Sequence, residues 1–215
     1  MEPIRRRRAA TTRLPPTSEG PEGPDEGASV YPSREDTLLI LPFAEVASGT
    51  LFLEVGCGAG LAALTAARRG ARVVATDVNP HALRRLRALA RAEELDIALV
   101  RTDLARGLGR FDRLLANPPY LPTRPEERDP DRWHNLALDG GPDGCRVTAR
   151  LVEELDRHLT ENGTAFVVVS SRQDPDALDR IRRDWAARGG RVDVVASRAL
   201  EGERLDVWRL CRGPR

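Results

Sequence analysis

From Leu51 onward, short apolar runs alternate with segments of helical periodicity, and no other feature constrains the fold of this chain as tightly. Strands separated by helices require a parallel sheet covered on both faces, an α/β fold. Strands are predicted over residues 51–55, 72–76, 97–102, 111–116, 164–170, 192–196 and 205–210. Helices are predicted over 61–69, 80–93, 144–159 and 175–188. Asn79 followed by Pro80 reads as an N-cap with proline at the first helical position. Gly70 and Gly163 mark expected helix ends. Residues 33–47 are expected to form a further helix laid across the carboxyl edge of the sheet. The last two strands, separated by residues 198–202, should pair antiparallel at one edge. The predicted sheet therefore has seven strands, mostly parallel with an antiparallel edge strand.

At 215 residues the chain is one α/β domain over residues 29–215 with a tail over residues 1–28. The tail is rich in Pro, Gly, Arg and Glu and nearly free of large apolar side chains, so it cannot offset its ordering entropy and is expected to be disordered. Its Arg5 to Arg8 run has no apolar segment behind it and is not a secretory signal. Acidic residues that follow balance the run, which reads as a solvated tail more readily than as an RNA or ribosome contact. A net charge of +1 imposes no nucleic-acid or membrane partner. The basic residues are all arginine, as GC-rich coding produces. No apolar run approaches the roughly 18–20 residues of a membrane span. Cys57, Cys145 and Cys211 are far apart and lack metal-ligand spacing, so the expectation is a reduced, cytoplasmic chain without a metal.

Ligands of open α/β sheets bind beyond the carboxyl ends of the strands. Gly56, Gly58 and Gly60 follow the first strand there, where glycine lets the backbone turn sharply and approach a ligand. Their G-x-G-x-G spacing differs from the G-x-G-x-x-G of nicotinamide enzymes. Asp77 ends the second strand about 20 residues beyond the first glycine, where a carboxylate accepts two ribose hydroxyls. Asp103 follows the third strand, placed to accept from an adenine amino group, and Glu54 precedes the loop, within reach of an ammonium group. Each acid alone could be a cap or a surface charge; three at successive strand ends indicate a nucleoside site. Without a phosphate-binding signature, S-adenosylmethionine is the expected ligand.

Asn117-Pro-Pro-Tyr120 closes the fourth strand and makes a rigid notch. A planar amide or amino nitrogen is a poor nucleophile because its lone pair is delocalised. Accepting both of its N–H bonds aims that lone pair at a methyl sulfonium without a strong base. The Asn117 side-chain oxygen and the Pro118 carbonyl are candidate acceptors, Pro119 helps fix the turn, and the Tyr120 ring can sandwich the planar group. The alternative is a proline turn with a tyrosine packed beneath it. His81, His134 and His158 are scattered, and Cys57 reads as a small residue that fits the glycine turn.

These residues resemble a known family, the HemK-type protein glutamine N5-methyltransferases, class I enzymes that modify release factors. The resemblance covers about residues 30–211 and rests on Val30-Tyr-Pro-Ser-Arg-Glu-Asp-Thr37, Leu53-Glu-Val-Gly-Cys-Gly-Ala-Gly60, Thr76-Asp-Val-Asn-Pro80 and Asn117-Pro-Pro-Tyr120. Leu136-Ala-Leu-Asp-Gly-Gly-Pro-Asp-Gly144 is more specific, and Ser197-Arg198 with Leu205-Asp-Val-Trp208 completes the pattern. The resemblance implies a Rossmann-like, seven-stranded class I methyltransferase sheet. It implies that Thr37, Glu54, Gly56, Asp77, Asp103, Leu104 and Asn117 line the donor site. It further implies that Asn117, Pro118, Pro119 and Tyr120 hold the glutamine amide of a release factor's Gly-Gly-Gln loop. The compact form looks most like the archaeal and eukaryotic branch, which works with a small zinc-binding activator. The helical docking domain of bacterial members has no counterpart here.

Two other readings remain. A nucleic-acid amino methyltransferase, acting for instance on adenine N6, shares the Asn-Pro-Pro-Tyr motif. Arg124, Arg128 and Arg132 could then contact phosphates, although Glu126, Glu127, Asp129 and Asp131 cancel them, and neutral net charge offers no strong phosphate-binding surface. A binding module that keeps the fold without activity is disfavoured by the intact acids and acceptor motif.

Overall fold

Period-two burial divides the sheet into two apolar faces. In β1 (Leu51–Val55), Phe52 joins one hydrophobic core while Leu53 and Val55 join the other. In β4 (Phe111–Ala116), Leu115 opposes Leu114 and Ala116 in the same way. Strands buried on both faces are mostly apolar, which is why they are legible as runs despite Glu54 in β1 and Asp112 and Arg113 in β4. The computed structural model describes residues 30, 35–127 and 131–213; the expected tail over residues 1–28 and Arg128 lie outside them.

The remaining strands are β2 (Arg72–Asp77), β3 (Ile97–Arg101), β5 (Leu159–Ser170), β6 (Gly190–Leu200) and β7 (Glu203–Arg212). Their order is β3-β2-β1-β4-β5-β7-β6. Strands β1 to β5 pair in parallel, and β7 runs antiparallel between β5 and the outermost β6. On one face lie α1 (Glu35–Ile40), α2 (Leu61–Arg68) and α3 (Pro80–Ala92), whose Ile40, Ala63 and Leu86 pack in the core of Phe52. On the other lie α5 (Arg146–His158) and α6 (Pro175–Ala187), whose Leu151, Leu155 and Trp185 pack in the core of Leu53. A short α4 (Arg132–Leu138) buries none of its residues. Strand order reverses between β1 and β4, so a crevice opens at their carboxyl ends.

Local chemistry explains the boundaries. The Asn79 side chain accepts the His81 N–H and Pro80 opens α3, as the dipeptide predicts. Gly70, at φ +81°, ends α2. The helix expected over 33–47 is shorter: α1 stops at Ile40 and a 3-10 turn, Leu41–Ala44, follows. Pro42 has no N–H to donate to the preceding turn, so the α-helical ladder cannot continue. Gly163 does not end a helix. It sits within β5, where the pairing with β4 shifts register, and a β-carbon there would lie 2.7 Å from the Phe111 carbonyl.

Candidate active site

The carboxyl ends of β1, β2, β3 and β4 open into a cleft of about 1210 Å³. It is lined by Thr37, Glu54, Gly56, Gly58, Gly60, Asp77, Asp103, Leu104 and Asn117 to Tyr120, so every residue nominated for the donor or the acceptor site reaches one cavity. The glycines differ in why they are there. All three have positive φ, but a β-carbon on Gly56 or Gly58 would project into open space, whereas on Gly60 it would meet Leu86 at 2.6 Å. Gly60 lets α2 approach α3; Gly56 and Gly58 keep the cleft floor bare.

Two of the acids hold this floor in place. The Glu54 carboxylate accepts the Ala63 N–H at 2.8 Å, in the first turn of α2. Burial pushes its pKa up to about 8; the Ala63 and Ala62 N–H groups oppose the rise and the Asp77 charge adds to it. Asp77 accepts the Gly58 N–H at 2.9 Å and the Asn79 N–H at 2.8 Å, one on each oxygen. Burial raises its pKa too, against those same N–H groups. Both acids are therefore part of the loop's own scaffold while still facing the cleft. Asp103 lies on the adjoining wall in an ion pair with Arg150, 2.5 Å from Nη2 to Oδ2. Next to it, Leu104 takes a left-handed φ of +55°, and its carbonyl accepts the Thr76 hydroxyl at 2.9 Å. Strain of this kind in a non-glycine residue clusters at functional sites.

On the far side of the switch point, the Asn117 side-chain oxygen is buried and has no hydrogen-bond partner among the described residues. The segment after Tyr120 is clamped. The Leu121 N–H donates to the Leu138 carbonyl at 3.0 Å, the Gly140 N–H to the Leu121 carbonyl at 2.9 Å, and the Thr123 N–H to the Gly141 carbonyl at 3.0 Å. Gly144, at φ +72°, passes so close that a β-carbon would lie 2.4 Å from the Tyr120 carbonyl. Behind it, the buried Gln173 amide donates to the Gly144 carbonyl at 2.9 Å and accepts the Ser170 N–H at 2.8 Å. The Gly-Gly-Pro-Asp-Gly segment is thus a brace for Asn-Pro-Pro-Tyr, a role its spacing in sequence does not disclose.

Sequence reasoning also passed over Asp36. It is 3% exposed, lines the cleft beside Thr37, and accepts the Tyr120 hydroxyl at 3.3 Å and the Thr37 N–H at 2.7 Å. The only signal was its place within the Glu35-Asp36-Thr37 motif. Among the described residues no group of His, Cys, Asp and Glu could hold a metal ion.

A reversed strand order, a glycine loop after β1 and acids closing β1, β2 and β3 define the class I methyltransferase architecture. Residues 35–136 match the family described as Methyltransferase small domain. A protein of Methanocaldococcus jannaschii, provisionally named a protein N5-glutamine methyltransferase, is 32% identical over 187 residues, 84% of this chain and 92% of that one. The release factor glutamine methyltransferase of Deinococcus radiodurans is 39% identical over 162 residues, 70% of this chain and 58% of its own. Among solved structures, a chain of the E. cuniculi Mtq2–Trm112 complex shares the fold with a TM-score of 0.66 at 23% identity. The match covers 86% of this chain and 99% of that one, and the complex is described as responsible for methylating the eRF1 termination factor. The chain belongs to the HemK-type family of protein N5-glutamine methyltransferases.

Proposed function

We propose that the protein transfers the methyl group of S-adenosylmethionine to the side-chain amide nitrogen of a glutamine in a release factor's Gly-Gly-Gln loop. The observation that carries this reading is the Asn117 oxygen, buried and unpartnered among the described residues. A buried acceptor left unsatisfied costs about 1–3 kcal/mol, so the notch favours an arriving N–H donor.

The residues present suit the donor. Gly56 and Gly58 leave the floor free of β-carbons, Glu54 is a buried carboxyl group that can give up its proton to pair with a cation, and Asp77 and Asp103 follow on the neighbouring strands. In this reading Glu54 and Thr37 meet the methionine end, Asp77 accepts from the ribose, and Asp103 and Leu104 flank the adenine. When bound, S-adenosylmethionine supplies an electrophilic methyl group on a sulfonium. The acceptor motif does the remaining work. Asn117 takes one amide N–H and the Pro118 carbonyl the other, while Pro119 fixes the turn and the Tyr120 ring covers the amide plane. These contacts withdraw the nitrogen from resonance and orient its lone pair. As the N–C bond forms, the sulfonium's C–S bond would break and S-adenosylhomocysteine would leave, and the surplus N–H proton, hydrogen-bonded to one of these neutral oxygens, would pass on to water.

The names of the relatives support a release factor as the substrate. The two-protein composition of the E. cuniculi complex supports a small activator subunit, which the family resemblance makes a zinc-binding one. No described helix is long and apolar enough to cross a membrane, which is compatible with action in the cytoplasm. The test is incubation with labelled S-adenosylmethionine and a release-factor domain carrying Gly-Gly-Gln, alone and with a candidate activator, with total RNA in parallel. Label on the glutamine supports the reading. Label in RNA alone establishes the nucleic-acid alternative instead.

A further inference from the structure

We infer that Arg150 is a positioning residue for adenine recognition: it holds one oxygen of the Asp103 carboxylate so that the other faces the exocyclic amino group of the donor. The inference rests on the donor reading above and deepens it. Arg150 and Asp103 are 47 positions apart and meet only because α5 packs beside the turn that follows β3. Nη2 of Arg150 lies 2.5 Å from Oδ2 of Asp103, and both side chains line the cleft. Among the described residues, no donor reaches Oδ1.

The backbone around Asp103 has little freedom left. Its carbonyl accepts the Arg106 N–H at 3.3 Å, the Thr102 N–H donates to the Asp77 carbonyl at 3.3 Å, and the Leu104 carbonyl is held by Thr76. What remains loose is rotation of the carboxylate, whose side chain is 42% exposed and would otherwise turn to water. The guanidinium removes that rotation. An ionised carboxylate accepts hydrogen bonds and donates none, so a fixed Oδ1 pairs with the amino group of adenine and opposes the carbonyl oxygen of hypoxanthine. A site built around a ligand's N–H rejects an analogue lacking it far more strongly than a loosely placed one does.

The alternative is that Arg150 only fastens α5 to the β3–β4 connection. The two are separated by calorimetry with S-adenosylhomocysteine and S-inosylhomocysteine on the full chain. Wild-type protein should prefer the adenine ligand by about tenfold or more. Arg150→Met should weaken binding of the adenine ligand by about five- to twentyfold and leave the hypoxanthine ligand within about twofold. In an Asp103→Asn background the same substitution should change neither. A half-exposed ion pair contributes little to stability, so Arg150→Met should melt within a few degrees of wild type. Equal weakening of both ligands, or no change in either, overturns the positioning role. A wild type that binds both ligands equally overturns it as well, while one that binds neither removes the donor reading itself.

Discussion

The Tyr120 hydroxyl donates to the buried Asp36 carboxylate at 3.3 Å, tying the acceptor notch to α1, 84 residues earlier in the chain. The other Asp36 oxygen accepts the Thr37 N–H, so one carboxylate joins the edge of the donor site to the acceptor motif. Stacking alone needs only the tyrosine ring, and on that ground Tyr120→Phe would be nearly silent. The observed bond predicts otherwise. Removing the hydroxyl takes a donor from a buried carboxylate and should cost about 1 kcal/mol, the lower end of the range because the bond is long. Urea denaturation of Tyr120→Phe, Asp36→Ala and the double variant measures it. Additive losses would show that the two side chains do not act together.

Asn117→Ala should reduce turnover far more than donor binding, because in the proposed mechanism its oxygen acts on the reacting nitrogen. Loss of one positioned hydrogen-bonding group costs about 10² to 10³ in rate, by analogy with an oxyanion-hole donor. Because that oxygen has no partner among the described residues, its removal should not lower the melting temperature. Single-turnover kinetics beside thermal melts test both statements, and near wild-type turnover would end the planar-nitrogen mechanism.

Donor binding should release a proton. Glu54 has its pKa pushed up to about 8 from an ordinary 4.5, so near neutrality the folded chain holds a proton there. Pairing with the ammonium of the methionine end requires the carboxylate. Affinity should therefore rise with pH between those two values, and calorimetry at pH 7 should depend on the ionisation enthalpy of the buffer. Glu54→Gln should abolish that dependence. Stability moves the other way: the folded state binds the proton that the unfolded state has released, so this group makes the protein less stable as pH rises from 4.5 to 8. A buffer-independent heat of binding in wild type would contradict the assignment.

Gly144→Ala should impair catalysis from outside the cleft floor. Its φ of +72° disfavours a side chain, and the β-carbon would meet the Tyr120 carbonyl at 2.4 Å. The clash falls on backbone, so the acceptor turn must shift. Turnover should drop by at least about tenfold, while S-adenosylhomocysteine affinity stays close to wild type. A parallel fall in both would mean that the brace supports the whole cleft.

The central sheet was legible in residue order because β1, β2 and β4 carry apolar clusters that feed both cores, interrupted by Glu54 in β1 and by Asp112 and Arg113 in β4. The acids were legible because each closes a strand, a position that topology turns into a site. The brace was not, since Gly140, Gly141 and Gly144 reveal their purpose only when residues 121–123 lie against them. Asp36 was missed for a related reason: its partner is 84 residues away. The helix over 33–47 was overextended because the apolar pattern continues past Pro42, while the ladder that would carry it does not. Arg150 carries no signal at all in a chain whose every basic residue but histidine is arginine.

The clamp between residues 121–123 and 138–141 joins the two ends of the intervening segment. Chain that leaves and returns through a closed neck can change length at small entropic cost and without moving what lies on the other side of it. Within the loop so closed, Arg132, Trp133 and Leu136 line the same cleft as Asn117 to Tyr120, so a change there alters the cleft wall while the neck holds the notch. Grafting that segment from a relative with a different protein substrate tests whether it selects the acceptor.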